Sequence, residues 1–582
     1  MNTVDYLVML GVLVGIAVYG MWRTRGHGDL RTYLKGGSTH WLTIGLSVMA
    51  TQASAVTFLS TPGQGFESGL GFVQNYFGAP LALILIAIVF LPIYRRLNVY
   101  TAYEYLGKRF DAKTRLLGAV LFLVQRGIGA GITIYAPAIV LSTVMGWRLD
   151  LTILCSGLLV VAYTVSGGTP AVNLTQKYQI GVIFAGMVAA FFVLLAKLPA
   201  GLTFSDALTV AGGFHKLEAV DYSFNPERRY TFWSGLLGGL FLALSYFGTD
   251  QSQVQRYLAG GSLRESRLGL MFNAVFKVPM QFFILLLGTL VFVFYQFERP
   301  PVFFNQSAWH QTAARDAGTA EKLRTFETDF NAAHAEKQQH LKEWVAARHA
   351  GDPAAAEQAR AATLAAHTRT EAARAETRAA LKAADPGAPT NDSDYVFISF
   401  ILGYLPHGLI GLLVAVFFAA TFSSKAGELN ALASTTTVDL YRHWHQLTGR
   451  DATDAHYVAA SKWFTALWGL GAIAFALGAS LAENLIQFTN IVGSIFYGVV
   501  LALFLTAFFL KSVHGTAAFS AAVIIQALIL VYHLYLRVAF PGIEISYLWY
   551  NVLGCAFCMI LAVVIQAALD FLRPPSSPVP AS

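Results

Sequence analysis

The sequence predicts an all-α membrane protein of about 13 transmembrane helices, arranged as a five-plus-five inverted repeat with an extracytoplasmic helical insert. Three observations predict it. Of 582 residues, 55% are hydrophobic and only 13% are charged, against roughly 25% charged in a soluble domain. Apolar runs recur near residues 4–22, 40–62, 72–95, 116–145, 149–167, 177–198, 232–257, 266–296, 407–437, 459–482, 485–510, 514–537 and 545–572, each close to the ~20 residues that cross a bilayer at ~1.5 Å rise per residue. The second and seventh of these runs, five apart, are interrupted by polar and helix-breaking residues, as the first helix of each half of an inverted repeat would be.

The first run, Val4 to Trp22, has almost no positive residues before it, no small-residue cleavage signal after it and an arginine pair behind it, so it reads as a retained span and not a signal peptide. Positive residues then gather in alternate loops: Arg23, Arg25, Arg31 and Lys35; Arg95, Arg96, Lys108, Arg109, Lys113 and Arg115; Arg264 and Arg267; Arg442 and Arg450; Lys511; and Arg573. By the positive-inside rule that side is cytoplasmic. In a cell (inner) membrane an odd number of spans then places the N-terminus outside and the C-terminus inside. The same asymmetry accounts for the net charge of +7 without a nucleic-acid surface. Cys155, Cys555 and Cys558 lie inside apolar runs, so no disulfide framework is implied and the CxxC spacing of the last two reads as small apolar filling.

Residues 299–394 break the pattern, being rich in Ala, Glu, Arg, Lys, Gln and His with no run long enough to cross a membrane. They divide the chain into a first membrane part (1–298), an insert (299–394), a second membrane part (395–573) and a cytoplasmic tail (574–582). Within the insert, helix formers from about Ala308 to Ala350 are followed by Gly351-Asp352-Pro353 and then by helix formers to about Ala384. That triplet supplies a stop, an N-cap and a first-turn proline, which predicts a helical hairpin. A disordered charged insert is the alternative, because few of its positions are strongly apolar.

Polar or unwound stretches at mid-depth in a membrane persist only where they line a cavity or bind something. The second run contains Ala50-Thr51-Gln52-Ala53-Ser54-Ala55-Val56-Thr57 and Ser60-Thr61-Pro62-Gly63; the seventh contains Ser245 to Arg256, with Thr249-Asp250-Gln251 at its centre. Breaks there would turn free carbonyls, amides and helix ends toward a solute and an ion; alternatively Thr249 to Arg256 marks the cytoplasmic end of a span. In the ninth run, Thr421-Phe422-Ser423-Ser424 places adjacent hydroxyls in a helix, either as oxygen ligands for a hard cation or as serines bonded to the turn behind them. Two intramembrane charges are read here, Asp250 and Arg126, the latter about 16 Å into the fourth span at helical rise. They either bind an anionic or strongly polar solute and orient it, or pair to hold the bundle.

Four segments carry a resemblance: Ser54-Ala55-Val56-Thr57; Ser166-Gly167-Gly168-Thr169-Pro170-Ala171-Val172; Gln251-Ser252-Gln253-Val254-Gln255-Arg256-Tyr257-Leu258; and Ser434-Thr435-Thr436-Thr437-Val438-Asp439-Leu440-Tyr441. With them the chain resembles the sodium:solute symporter family, over nearly its whole length outside the insert. The resemblance implies a secondary active transporter that couples Na+ to a small solute by alternating access and is not an enzyme. It implies a sodium site made by the carbonyls of Ala53, Val56 and Ala420 and the hydroxyls of Ser423 and Ser424. Some members place an Asp after the Thr that here is Thr175; Gln176 stands in its place, which favours one sodium per cycle.

The run Gly131 to Ala138 and Ser54 to Thr57 look most like members carrying iodide, monocarboxylates and vitamins, whereas Asn490 to Gly498 looks more like members carrying sugars and polyols. Gln52, Phe66, Gln74, Arg126, Tyr135, Asp250, Gln253 and Asn490 are the candidates for lining the solute cavity. The expected partners are the solute, sodium and the lipid bilayer, with a monomer sufficient. The reading of another class is a membrane sensor, since some relatives are fused to a signalling kinase; no HExxH or GxSxG motif supports an intramembrane enzyme.

Overall fold

A computed structural model describes residues 1–23, 40–52, 54–97, 99–258, 260–386, 390–450, 452–478, 484–540 and 544–572; the side chains of residues 16–23, 55, 163, 166–179, 422 and 423 are outside the description. The described residues form helices and no β-strand. Among them, eight helices are long and apolar enough to cross a membrane, and five shorter apolar helices accompany them.

In chain order α1 (Thr3–Arg23) is followed by α2 (Trp41–Gln52) and α3 (Ala55–Ser68), which are the two halves of the second predicted span. A 3-10 stretch, Gly69–Tyr76, leads to α4 (Ala79–Leu85) and α5 (Leu91–Leu97), joined through a π turn at Ile86–Phe90. Then come α6 (Tyr103–Arg109), α7 (Ala112–Met145), α8 (Leu149–Ala196) and α9 (Phe204–Gly213). The helix α8 differs from expectation: helix is assigned through all 48 residues where two spans are predicted. Its apolar segments are nevertheless Leu149–Ala162 and Ile180–Ala196. These are where the sequence places its fifth and sixth crossings.

The seventh span is also split, into α10 (Gly239–Gly248) and α11 (Gln251–Leu258), and α12 (Leu263–Phe297) follows. The insert contains α13 (Gln306–Ala313), α14 (Ala317–His349) and α15 (Pro353–Ala384). Gly351 takes the left-handed φ of 71° that stops a helix, and the Asp352 side chain accepts from the Ala354 and Ala355 amides to start the next. The pair closes over Leu323, Phe330, Leu341, Trp344 and Leu381. It is docked, not free: His349 meets Asp206 at 3.0 Å, and Arg374 donates to the Pro301 carbonyl at 3.0 Å.

A helix absent from the sequence expectation comes next, α16 (Ser393–Tyr404). Its 12 residues rise about 18 Å, too little to register as a span, and it packs with Phe397, Ile398, Phe400 and Ile401 fully buried against α3. Then α17 (Leu409–Thr435) continues through a π turn, Thr436–Arg442, into α18 (His443–Leu447). The chain ends with α19 (Asp454–Gly478), α20 (Leu485–Phe509), α21 (Gly515–Val531), a π turn at Tyr532–Leu536 before α22 (Arg537–Ala539), and α23 (Tyr547–Leu572).

Contacts at the two ends of the bundle sort its sides. Arg95 donates to Gly260, Arg109 to Leu510 and Lys511, and Arg115 to Asp439, so positive loops from separate parts of the chain share one face. At the opposite face the start of α1 meets the start of α17. Gly408 cannot cap α17 itself, and Asp5 does so from α1, accepting from the Gly408 amide at 2.6 Å and the Gly411 amide at 3.3 Å. Asp5→Ala is therefore expected to lower the melting temperature of purified protein by the equivalent of about 0.5–2 kcal/mol; an unchanged melting temperature would show that α17 does not depend on this cap.

Candidate functional site

At the first break, Ser54 is extended (φ −70°, ψ 173°) between α2 and α3, so the last carbonyls of α2 have no helical amide ahead of them. The Gln52 carbonyl accepts from the Thr57 hydroxyl at 3.0 Å. The Thr51 carbonyl accepts from the Ser424 hydroxyl at 3.2 Å. This second bond joins the break to α17 across 373 residues, the juxtaposition expected of an ion site at this place. Of the five expected sodium ligands, Val56 and Ala420 are buried and Ser424 touches the break; Ala53 and the Ser423 side chain lie outside the described residues, as does the side chain of Gln176.

The second break is closed differently. Three consecutive carbonyls at the end of α10 each accept from a tyrosine hydroxyl: Phe247 from Tyr257, Gly248 from Tyr94 at 2.7 Å, and Thr249 from Tyr103 at 2.9 Å. Asp250 then caps α11, accepting from the Ser252 amide at 2.9 Å and its hydroxyl at 2.6 Å. Hydroxyls thus meet backbone oxygens at both breaks, from Thr57 and Ser424 at the first and from three tyrosines at the second; the first contributes Thr51, Gln52, Ser54, Val56 and Thr57 to a cavity wall and the second contributes Phe247.

That cavity, of about 120 Å³, is lined by Thr51, Gln52, Asn75, Tyr76, Arg126 and Thr133, with Tyr246, Lys277, Glu428, Asn490 and Tyr497 among others. Of the candidate solute residues, it contains Gln52, Arg126 and Asn490. Asp250 stands behind Arg126: its second oxygen is paired with the Arg126 guanidinium and accepts from the Tyr497 hydroxyl at 3.1 Å. The two charges are thus ion-paired, and Arg126 also lines the cavity.

The structure places the other four candidates elsewhere. Gln74 bonds to the Gly71 and Tyr230 carbonyls and the Asp221 amide, bracing the 3-10 segment. The Tyr135 hydroxyl donates to the Ala476 carbonyl at 2.6 Å, and Gln253 donates to the Tyr246 hydroxyl at 2.8 Å from behind the cavity wall. Phe66 lines a second cavity of about 220 Å³ beneath the insert, with Glu67, Lys216, Glu371, Arg374 and Arg378. There burial lowers Lys216 to about 8 and His367 to about 4, since both lose water around the charged form.

The sequence reading counts two intramembrane charges, and the structure corrects that count. Glu428 on α17 pairs with Arg126 at 3.4 Å and with Lys425 one turn away, and Lys425 also donates to the Ala130 carbonyl at 3.3 Å. Arg126, Lys425, Asp250 and Glu428 thus form a buried network of two positive and two negative charges. Lys277 on α12 is a further intramembrane cation on the cavity wall. Each of these residues interrupts an apolar run, which is the signal that marks them in the sequence.

A model of the sodium:solute symporter family matches residues 32–316 and 375–525. The chain belongs to the sodium:solute symporter family. The family match omits residues 317–374, which are α14 and two-thirds of α15. Over 98% of this chain and 99% of the other, the fold matches that of a Na+-coupled sialic acid symporter in a substrate-bound outward-open state, at a TM-score of 0.72 and 21% identity. Among curated relatives, the chain is 34% identical over 297 residues to the human sodium/iodide cotransporter (50% of this chain, 45% of that one). It is 35% identical over 275 residues to human sodium-coupled monocarboxylate transporter 1 (47% and 45%) and over 303 residues to the Oryctolagus cuniculus sodium-dependent multivitamin transporter (51% and 46%). The chain spans a little under half the length of these relatives.

Proposed function

We propose that this family member is a secondary active transporter that couples Na+ to the uptake of a small polar or anionic solute by alternating access. The observation that carries the reading is the meeting of Ser424 with the opened end of α2 at 3.2 Å, beside a cavity that Gln52, Arg126 and Asn490 share. A hard monovalent cation is well served by carbonyl and hydroxyl oxygens, and the site joins two elements that a bound ion would hold together. Ala53, Val56, Ala420, Ser423 and Ser424 are the proposed ligands. Because Gln176 stands where some members of the family place an Asp, one sodium per cycle is the proposed stoichiometry. Ion and solute then strengthen each other's binding by the same factor.

The proposed setting is a cell membrane, with the clustered Arg95, Arg109 and Arg115 face cytoplasmic and the start of α1 outside together with the insert; a monomer suffices. A sugar or polyol as solute is the second reading. It is favoured by Asn490, which lines the cavity and whose amide nitrogen has no hydrogen-bond partner among the described residues.

The test is uptake into vesicles reconstituted with purified protein, with external sodium replaced by choline. Uptake that requires sodium is expected, and Ser424→Ala is expected to raise the sodium concentration for half-maximal uptake by about tenfold, the equivalent of ~1.4 kcal/mol. Equal uptake in choline would refute the coupling, and an unaltered sodium dependence in S424A would remove Ser424 from the ion site.

A further inference from the structure

Among the described residues, the central cavity holds one cation that the surrounding network does not neutralise. Arg126 is matched by Asp250 and Glu428, and Lys425 by Glu428. Lys277, by contrast, is 6% exposed, lines the cavity, and among the described residues has no carboxylate within ion-pairing distance. What faces its ammonium is the ring of Tyr76, 5.1 Å away. A cation over an aromatic face recovers about 0.5–2 kcal/mol, a fraction of what an unpaired charge loses inside a membrane.

Nor does its helix require a lysine there. Around it α12 is apolar, and the polar residues one turn to either side, Asn273 and Gln281, are neutral. Asn273 is bonded to the Gly45 and Gly269 carbonyls and to Gln52, so it belongs to the packing of α12 on α2. A leucine or methionine at 277 would serve that packing equally well. The charge itself is the property left to explain, and its place on the cavity wall supplies the explanation.

We infer that Lys277 is the counter-charge for the transported solute, so that the solute is a small monoanion whose negative group docks against the Lys277 ammonium. This rests on the symporter reading above and narrows its solute class. Arg126 cannot play the part, because it belongs to a network in which Asp250 and Glu428 already balance Arg126 and Lys425; it shapes the wall. A neutral solute would leave the Lys277 charge uncompensated in the closed cavity, and the site therefore selects against it by the cost of that unpaired charge.

The experiment compares wild-type, Lys277→Met and Lys277→Arg proteins in detergent. Thermal stabilisation is measured with pyruvate, nicotinate and iodide, and with the neutral probes nicotinamide and glucose, each in sodium and in choline. The expected result is stabilisation of the wild type by one of the anions in sodium. Its affinity should fall by at least about tenfold in K277M and stay within a few-fold in K277R, while K277M without solute melts no lower than wild type because an unpaired buried charge has gone. Stabilisation by neutral probes alone, by none of the anions, or equally in K277M overturns the inference. Sodium without solute separates the two readings: if it stabilises wild type and K277M alike, the ion site stands whatever becomes of Lys277. If the anion binds through Lys277 equally well in choline, the solute class stands and the coupling falls.

Discussion

Glu428→Gln is expected to cost about 3–5 kcal/mol of stability and to abolish transport. Four charges share the centre of the bundle, with side-chain exposures of 5% for Arg126, 0% for Asp250, 8% for Glu428 and 2% for Lys425. Neutralising Glu428 leaves Arg126 and Lys425 with Asp250 as the one remaining carboxylate of the network, and Asp250 pairs with Arg126. An uncompensated cation in a low-dielectric interior is penalised more heavily than the original pair is favoured. The double variant Lys425→Met, Glu428→Gln removes one charge of each sign and keeps the Arg126–Asp250 pair, so it should recover most of the lost melting temperature. A double-mutant cycle on purified protein measures this. If E428Q melts as wild type does, or if the double variant melts lower than E428Q, the network does not carry the stability assigned to it.

The expected ion site and the charge network differ in how far a linear sequence can disclose them. Both helix breaks are legible because Gly, Pro, Ser and Thr interrupt apolar runs, and a charge such as Arg126 stands out in such a run for the same reason. Lys277, Lys425 and Glu428 carry that signal too. What pairs with what does not follow from it, since Arg126 meets Asp250 across 124 residues and Glu428 across 302. The tyrosines that close the second break come from α5, α6 and α11, and each alone reads as an interfacial or core aromatic. Depth along a helix can be estimated at ~1.5 Å per residue, but rotation about its axis cannot when the helix is apolar all round. That is why Tyr135, on the largely apolar α7, lies at a suitable depth and faces another partner. The helix α16 is hidden for a further reason: a buried segment of 12 residues is apolar enough to belong to the bundle and too short to be counted as crossing it.

The closeness of α16 and α12 to α3 leads to the other large expected effect. Gly288→Ala should destabilise the protein severely and, where folded protein is recovered, weaken its response to sodium. A Cβ on Gly288 would lie 2.0 Å from the Pro62 carbonyl oxygen and 2.7 Å from the Pro62 Cα. Ordinary carbon–oxygen contact needs about 3.3 Å, so α3 would have to retreat by ~1.3 Å. It has nowhere to go. Toward α16 a Cβ at Gly63 would lie 2.1 Å from the Ser393 carbonyl, and toward α12 itself one at Gly65 would lie 2.4 Å from the Leu285 carbonyl. Backbone thus meets backbone on both flanks of α3, the close approach that small residues permit between membrane helices. Overpacking typically costs about 1–3 kcal/mol, and rigid backbone on each side puts this case at the upper end or beyond. Displacing α3 also displaces Val56 and the opened end of α2 from Ser424, which links the packing fault to the ion site. Gly471→Ala is the control: a Cβ there meets nothing within 4 Å, and alanine in a helix interior gains about 0.5–1 kcal/mol over glycine. Should G288A melt and respond to sodium as G471A does, α3 has freedom to move that these contacts deny it.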